Sequence, residues 1–307
     1  MQEAEDMFQR FDSFRKDVSQ ADTMFKNFDA FLNKGKATMP DSALERCSSC
    51  FFPTEFYEVP LIATRQYNHD TKVFSFGLPD GVSLDLPVCA CILLKGANEA
   101  GEPTIRPYTP ISSNEQKGSF DLLVKIYPQG VVSQWLNTRE LGAKVGFKHI
   151  PFNIKAQYPF EGKKKLNMIC GGTGITPMYQ ALLKIINTPG DDLQVTLLYG
   201  NKSVEDILLR KELEQAVARG GGRFKVVHVV GDRSDMPRIA GWDGELGWVD
   251  QGKVKKYCFP PAEDVLTFVC GVPALYDVMC GPRTEPEVRK DSVLAQLGYT
   301  QQMISKL

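Results

Sequence analysis

The sequence has 307 residues, a formal net charge of −1, 43% hydrophobic and 24% charged residues, which leaves room for about two ordinary domains of soluble globular composition. So even a charge balance argues against a nucleic-acid binder, which carries a basic face. The longest unbroken apolar run, Val88 to Leu94, is also far short of the roughly 20 residues of a transmembrane helix.

Eight cysteines, several inside apolar strand-like runs, fit a reducing compartment better than a secreted disulfide framework. Residues 1–35 carry many acids and no apolar core region, which argues against a secretory signal or an intact organellar presequence. An intracellular location, cytoplasmic or mitochondrial, is expected. In the same stretch Met7, Phe11, Phe14, Val18, Ala21, Phe25, Phe28 and Leu32 alternate spacings of four and three. This heptad seam predicts one long helix in an N-terminal extension over residues 1–50. Its phenylalanine stripe must be covered by the chain's own domains or by another protein, so helix 1–35 is a candidate partner-docking element. Cys47 and Cys50 form a lone C-x-x-C with no second ligand pair nearby, and because a structural zinc needs four ligands no metal is expected.

Between residues 55 and 160 the pattern changes to short strands rich in β-branched and aromatic residues: VPLIATRQY, TKVFSFGL, VCACILLKG, TIRPYTPIS and FDLLVKIY. Asp-Gly, Gly and Pro punctuate them at short intervals, which predicts an antiparallel barrel or sandwich. Arg106, Pro107, Tyr108, Thr109 and Pro110 concentrate chemistry on one strand. A guanidinium suits a pyrophosphate, a tyrosine ring can lie against a flat heterocycle, and a hydroxyl can bond to a ring nitrogen; an ordinary edge strand is the alternative. Further on, Val124 to Tyr127 leads to Gly130-Val-Val-Ser133, a helix start that can hold phosphate or can simply be capped by serine.

From residue 163 to 307 apolar strands alternate with helical patterns: LNMIC, a helix over 177–187, QVTLLYG, a helix over 203–219, FKVVHVV, VLTFVCG and a helical run from Ala274. Such alternation predicts a parallel sheet with ligands at the carboxyl ends of its strands. Leu166 to Cys170 runs into Gly171, Gly172, Thr173, Gly174, Thr176 and Pro177, so strand, turn and helix follow at once. Orphan N–H groups, the helix dipole and the missing side chains suit a phosphate-bearing nucleotide. Close helix–strand packing is the competing explanation for the glycines. Leu266 to Cys270 followed by Gly271-Val-Pro273 repeats the design, and Cys270 is either a ligand-facing thiol or a buried small hydrophobe. Asn201 and Lys202 end the second strand, where a ribose would lie, and the lack of arginine there favours NADH over NADPH.

RPYTPIS, VKIY with GVVSQWL, GGTGITPM, DILLRKELE and CGVP occur in this order over residues 60–280. Together they resemble the ferredoxin-reductase-type flavoproteins and, among them, the NADH-cytochrome b5 reductase family. The resemblance implies a two-domain β + α/β fold: an antiparallel six-stranded FAD-binding barrel over 55–160, then a parallel-sheet NAD-binding domain over 163–307. It implies that Arg106 binds the FAD pyrophosphate, Tyr108 lies along the flavin and Thr109 bonds near flavin N5. Lys125 and Tyr127 would stand beside the flavin, with Gly130 and Ser133 at its phosphates. Gly171, Gly172, Thr173 and Gly174 would cradle the NADH phosphates, assisted by Thr176 and Pro177. Cys270, Gly271 and Pro273 would border the nicotinamide, and Asp232 would help choose NADH. NADH would pass hydride to FAD, and single electrons would go on to cytochrome b5 or a similar haem protein; Thr109 and Cys270 would flank the reacting atoms.

Some segments depart from the family's pattern. Pro87-Val-Cys89-Ala-Cys91 replaces a Gly-x-His or Gly-x-Tyr pattern, and Ser305-Lys306-Leu307 stands where relatives carry an aromatic residue near the flavin. Residues 281–295 look like an insertion before a last helix. The N-terminal arm, without counterpart in the resemblance, leaves a second reading: an accessory subunit of a larger complex, docked through this arm, with its cofactor structural or lost. A ferric chelate, a quinone or a haem relay to nitrate are further acceptors that the sequence leaves open.

Overall fold

A computed structural model describes residues 50–151, 156–231 and 242–307. The expected helix over 1–35, Cys47 and Asp232 lie outside the described residues. The chain divides into two compact units, residues 1–154 and 155–307.

Among the described residues, six strands build the first unit: β1 (Tyr57–Gln66), β2 (Thr71–Gly77), β3 (Ile92–Ala97), β4 (Pro103–Tyr108), β5 (Ser119–Lys125) and β6 (Lys144–His149). They form one antiparallel sheet in the order β4-β3-β6-β1-β2-β5. Just past β4 the chain reaches the opposite edge: Ile111 N donates to Asp121 O at 2.9 Å, and Asp121 N donates to Ser112 Oγ at 3.0 Å. These bonds bring the two ends of the order together, so the sheet curls into the expected antiparallel barrel and both edges are blunted. Its centre is aromatic. Phe76 stacks on Phe120 at 5.3 Å and meets Phe147 edge-on at 4.8 Å, while Phe52 stacks on Phe147 at 5.3 Å. Helix α1 (Val131–Asn137) packs over β3 and β4.

One strand is shorter than its sequence predicts. VCACILLKG reads as a single apolar run, yet β3 begins only at Ile92. Before it the chain turns, with Ala90 N bonded to Pro87 O at 3.1 Å and Cys89 at φ 64°. Pro87 has no N–H to give a ladder, so the segment cannot extend the strand.

The second unit contains β7 (Lys165–Gly171), α2 (Ile175–Asn187), β8 (Gln194–Asn201), α3 (Arg210–Arg219), β9 (Phe224–Val230), β10 (Glu245–Leu246), α4 (Gln251–Tyr257), β11 (Val265–Cys270), α5 (Pro273–Met279), α6 (Val293–Gln296) and β12 (Ile304–Lys306). Its strands are all parallel, in the order β10-β9-β8-β7-β11-β12. Strand order reverses between β7 and β11, and the carboxyl ends of that pair are where such sheets bind ligands. On one face Ile169, Leu198, Val229 and Val269 pack with Val254 of α4, Tyr276 and Met279 of α5 and Leu294 of α6.

The helix expected over 203–219 starts only at Arg210. Ser203 donates to Asp206 through both its N–H, at 3.2 Å, and its hydroxyl, at 2.8 Å. That turn diverts the local backbone, and Leu209 at φ 57° sets the helix direction after it. Among the described residues no helix is long and apolar enough to cross a membrane.

Candidate functional site

In the first unit, Arg106 and Tyr108 sit on edge strand β4, opposite Leu94 and Ile92 of β3. Alternation along a strand puts both on the same face. Burial raises the Tyr108 phenol above its usual range, the Arg106 charge pulls it back and Tyr127 pushes it up, so these three side chains share one electrostatic neighbourhood. Thr109 follows at once, half-buried. At the end of β5 the Lys125 ammonium lies 2.7 Å from the Asp70 carboxylate, a partner the sequence gave no reason to expect. The ion pair occupies much of the charge that Lys125 would offer a ligand. Tyr127 is 46% exposed.

Gly130 opens α1, and a Cβ there would overlap the Ser133 hydroxyl and lie 3.0 Å from Tyr127 Cβ. Ser133 Oγ accepts from Tyr127 N at 3.3 Å and donates to Gly130 O at 3.1 Å. Its hydroxyl therefore shapes the turn from within. The helix-start N–H groups, which have no intrahelical acceptor, are what this turn can direct at a phosphate. A guanidinium, two phenol rings and a side-chain-free helix start form a donor set that fits a flavin dinucleotide.

In the second unit, β7 and β11 are adjacent and in register, with Cys170 opposite Cys270. Gly172 to Gly174 make one 3-10 turn before α2, and Gly172 takes φ 53° with open space where a Cβ would stand. A Cβ on Gly174 would overlap the Cys270 carbonyl and fall 2.9 Å from Gly271 Cα; one on Gly271 would fall 2.8 Å from Leu275 and 3.2 Å from Gly171 N. The two glycine turns that the sequence pairs by design thus touch backbone to backbone. Of the alternatives the sequence sets, close packing is present at Gly174 and Gly271, whereas Gly172 leaves open space where a side chain would stand. Thr176 Oγ1 donates to Thr173 O at 3.2 Å, and Pro177 lies in the first turn of α2, where its missing N–H leaves no gap. Pro273 does the same for α5.

Cys270 is half-buried, and burial pushes its thiol up, while the Arg283 charge and the neighbouring Tyr276 hydroxyl act the other way. The group is a neutral thiol at physiological pH. Asn201 is 6% exposed and neither atom of its amide finds a partner among the described residues. An orphaned amide at the end of β8 fits a sugar hydroxyl.

Sequence reading passed over Tyr199 and Tyr276. Tyr199 is fully buried, and its hydroxyl donates to Gly172 O at 3.0 Å and accepts from Leu208 N at 3.2 Å, bracing the glycine turn. Tyr276 donates its hydroxyl to Leu307 O. A tyrosine inside an apolar strand or helix gives no signal of its own; only the partner's position shows its use.

Comparison with known proteins decides the family. Residues 58–150 match the family described as oxidoreductase FAD-binding domain and residues 168–281 that described as oxidoreductase NAD-binding domain. The chain is 37% identical over 276 residues to NADH-cytochrome b5 reductase 2 of Coccidioides immitis, covering 87% of this chain and 82% of that protein. This chain belongs to the NADH-cytochrome b5 reductase family. An NADH-cytochrome b5 reductase-like protein of Arabidopsis thaliana is 35% identical over 286 residues, which are 90% of this chain and 82% of that protein. The cytochrome b5 reductase domain of Ulva prolifera nitrate reductase superposes with a TM-score of 0.70 at 29% identity, covering 83% of this chain and 98% of that one. As a member of this family, the chain is an FAD-dependent oxidoreductase whose first unit contains the FAD-binding domain and whose second contains the NAD-binding domain.

Proposed function

We propose that the protein oxidises NADH and delivers electrons singly to cytochrome b5 or a closely similar haem protein. The observation that supports this most directly is the mutual backbone contact of Gly174 and Cys270-Gly271 at the sheet's switch point, a dinucleotide cradle next to a thiol. When bound, FAD and NADH supply the redox chemistry: hydride leaves the nicotinamide for the flavin, which can then release one electron at a time.

The chain's own residues bind and orient. Arg106 would neutralise the FAD pyrophosphate, Tyr108 and Tyr127 would lie against the flavin, and Thr109 would donate a hydrogen bond to it. Lys125, held by Asp70, stands beside the flavin, and Gly130 with Ser133 shapes the phosphate turn. Gly171 to Gly174 and Thr176 present N–H groups to NADH, with Pro177 fixing the first turn of α2, while Cys270, Gly271 and Pro273 border the nicotinamide and Asn201 takes a ribose hydroxyl. Asp232 contributes to the choice of NADH. Cys270 acts as an uncharged neighbour of the nicotinamide. No residue of this set is required to act as a strong acid or base.

Purified protein is expected to be yellow, to bleach on anaerobic NADH addition and to reduce cytochrome b5 faster than ferricyanide-free controls lacking the enzyme. A preparation that takes up no FAD, or whose flavin stays oxidised under NADH, refutes the reading. Brisk reduction of a quinone or ferric chelate with none of cytochrome b5 would retain the oxidoreductase and replace its acceptor.

A further inference from the structure

Lys306 is only 8% exposed, although lysine is seldom buried without compensation. It stands on β12, opposite Val269 of β11. Its Nζ donates to three main-chain oxygens, Pro282 O at 2.9 Å, Glu285 O at 2.9 Å and Glu287 O at 2.8 Å. An ammonium has three N–H groups, so the cage uses all of them. The carbonyls belong to one loop between α5 and α6, the stretch that looks like an insertion in sequence. The loop is closed at its base, where Arg289 N bonds to Cys280 O at 3.2 Å and Arg289 Nη2 to Asp277 O at 2.8 Å.

The residue after Lys306 leads to the candidate nicotinamide side. Leu307 N donates to Val269 O at 3.0 Å, and Leu307 O accepts from the Tyr276 hydroxyl, which is close enough to share an electrostatic neighbourhood with the Cys270 thiol. Arg283, inside the caged loop, is close enough for its charge to act on both Cys270 and Tyr276. Loop, strand end, tyrosine and thiol therefore form a closed circuit.

We propose that Lys306 is a positioning residue for NADH: it staples the 281–289 loop to β12, and the staple holds Arg283 and Tyr276 at Cys270. The inference rests on the reading that the nicotinamide nucleotide binds beside Cys270. Lys306 touches no reacting atom, and it acts by removing the freedom of the groups that do.

The test uses the full-length, FAD-loaded protein and the variant Lys306→Met, which keeps the stem and removes the ammonium. Limited trypsin digestion reads the staple, because the loop and its margin carry Arg283, Arg289 and Lys290. The variant is expected to be cut there under conditions that leave the parent intact, and its KM for NADH to rise about tenfold while kcat stays within about twofold, the pattern of lost binding rather than lost chemistry. An uncut loop, or a cut loop with unchanged KM, overturns the proposal. Should Lys306→Met fail to fold, Arg283→Gln leaves the cage intact; it is expected to raise KM for NADH while Arg289 and Lys290 stay protected, and an unchanged KM overturns the proposal. A parent protein whose flavin NADH does not bleach would refute the functional reading, and the digestion pattern would still report on the staple.

Discussion

Gly174 shows how one missing side chain can shape a site. Its Cβ position is filled by the Cys270 carbonyl, so even alanine forces the two turns apart. Gly174→Ala is expected to cost about 1–3 kcal/mol of stability, the range of overpacking in a close-packed interior, and to raise KM for NADH; urea denaturation and steady-state kinetics check both. His149 makes a second, independent case. It lies in β6 with 2% exposure, its Nε2 finds no partner among the described residues, and burial lowers its imidazole to about 4 from 6.5. The sign follows from linkage. Between pH 6.5 and about 4 the unfolded chain takes up a proton that the folded one refuses, so stability is intact above 6.5 and falls as the pH drops through that window. At pH 5 the loss is about 2 kcal/mol relative to pH 7.5. Urea denaturation should show that fall, and His149→Gln should flatten it; a slope unchanged by the substitution would exclude His149 as its source.

Among elements, α1 depends on its first turn. Ser133 joins Tyr127 N and Gly130 O through one buried hydroxyl, so Ser133→Ala leaves the Tyr127 N–H unpaired at the start of the helix, while Gly130 O keeps its bond from Gln134 N at 2.8 Å. A loss of about 1–2 kcal/mol is expected, with weaker FAD retention measured as flavin released during gel filtration. Full FAD retention at unchanged stability would show that the turn does not need the hydroxyl. Helix α3 and strand β3 illustrate where element boundaries escape a reading of apolar pattern. The Ser203–Asp206 turn and the Pro87–Ala90 turn interrupt stretches whose residue types would otherwise continue the element. Side-chain to backbone bonds compete with the regular ladder locally, and hydrophobic spacing is blind to them.

For the molecule as a whole, two units with separate cofactor-binding domains predict separate ligand footprints. NAD+ at a hundredfold its Kd adds about 2.7 kcal/mol to whatever it binds. Hydrogen exchange is expected to slow over residues 171–178 and 270–276 with NAD+, and over 106–109 and 130–134 with FAD. NAD+ protection confined to the first unit would contradict the assignment of the domains.

Much of this was legible before any coordinates. The alternation of the barrel strands, the strand-to-helix rhythm of the second unit and the glycine turns at Gly171 and Gly271 are local patterns, and local patterns survive in sequence because they reflect periodicity and backbone freedom. Arg106, Tyr108 and Cys270 were legible for the same reason, as chemistry-bearing residues at strand ends. What could not be read were partnerships between distant positions: Asp70 with Lys125, Tyr199 with Gly172, Tyr276 with Leu307, and Lys306 with three carbonyls of a loop. A carbonyl belongs to every residue and carries no mark in the alphabet, so only folding reveals which ones surround a buried ammonium. By itself the sequence determined the kind of fold and the family; tertiary structure decided which polar groups are already engaged, because that depends on where the chain returns to itself.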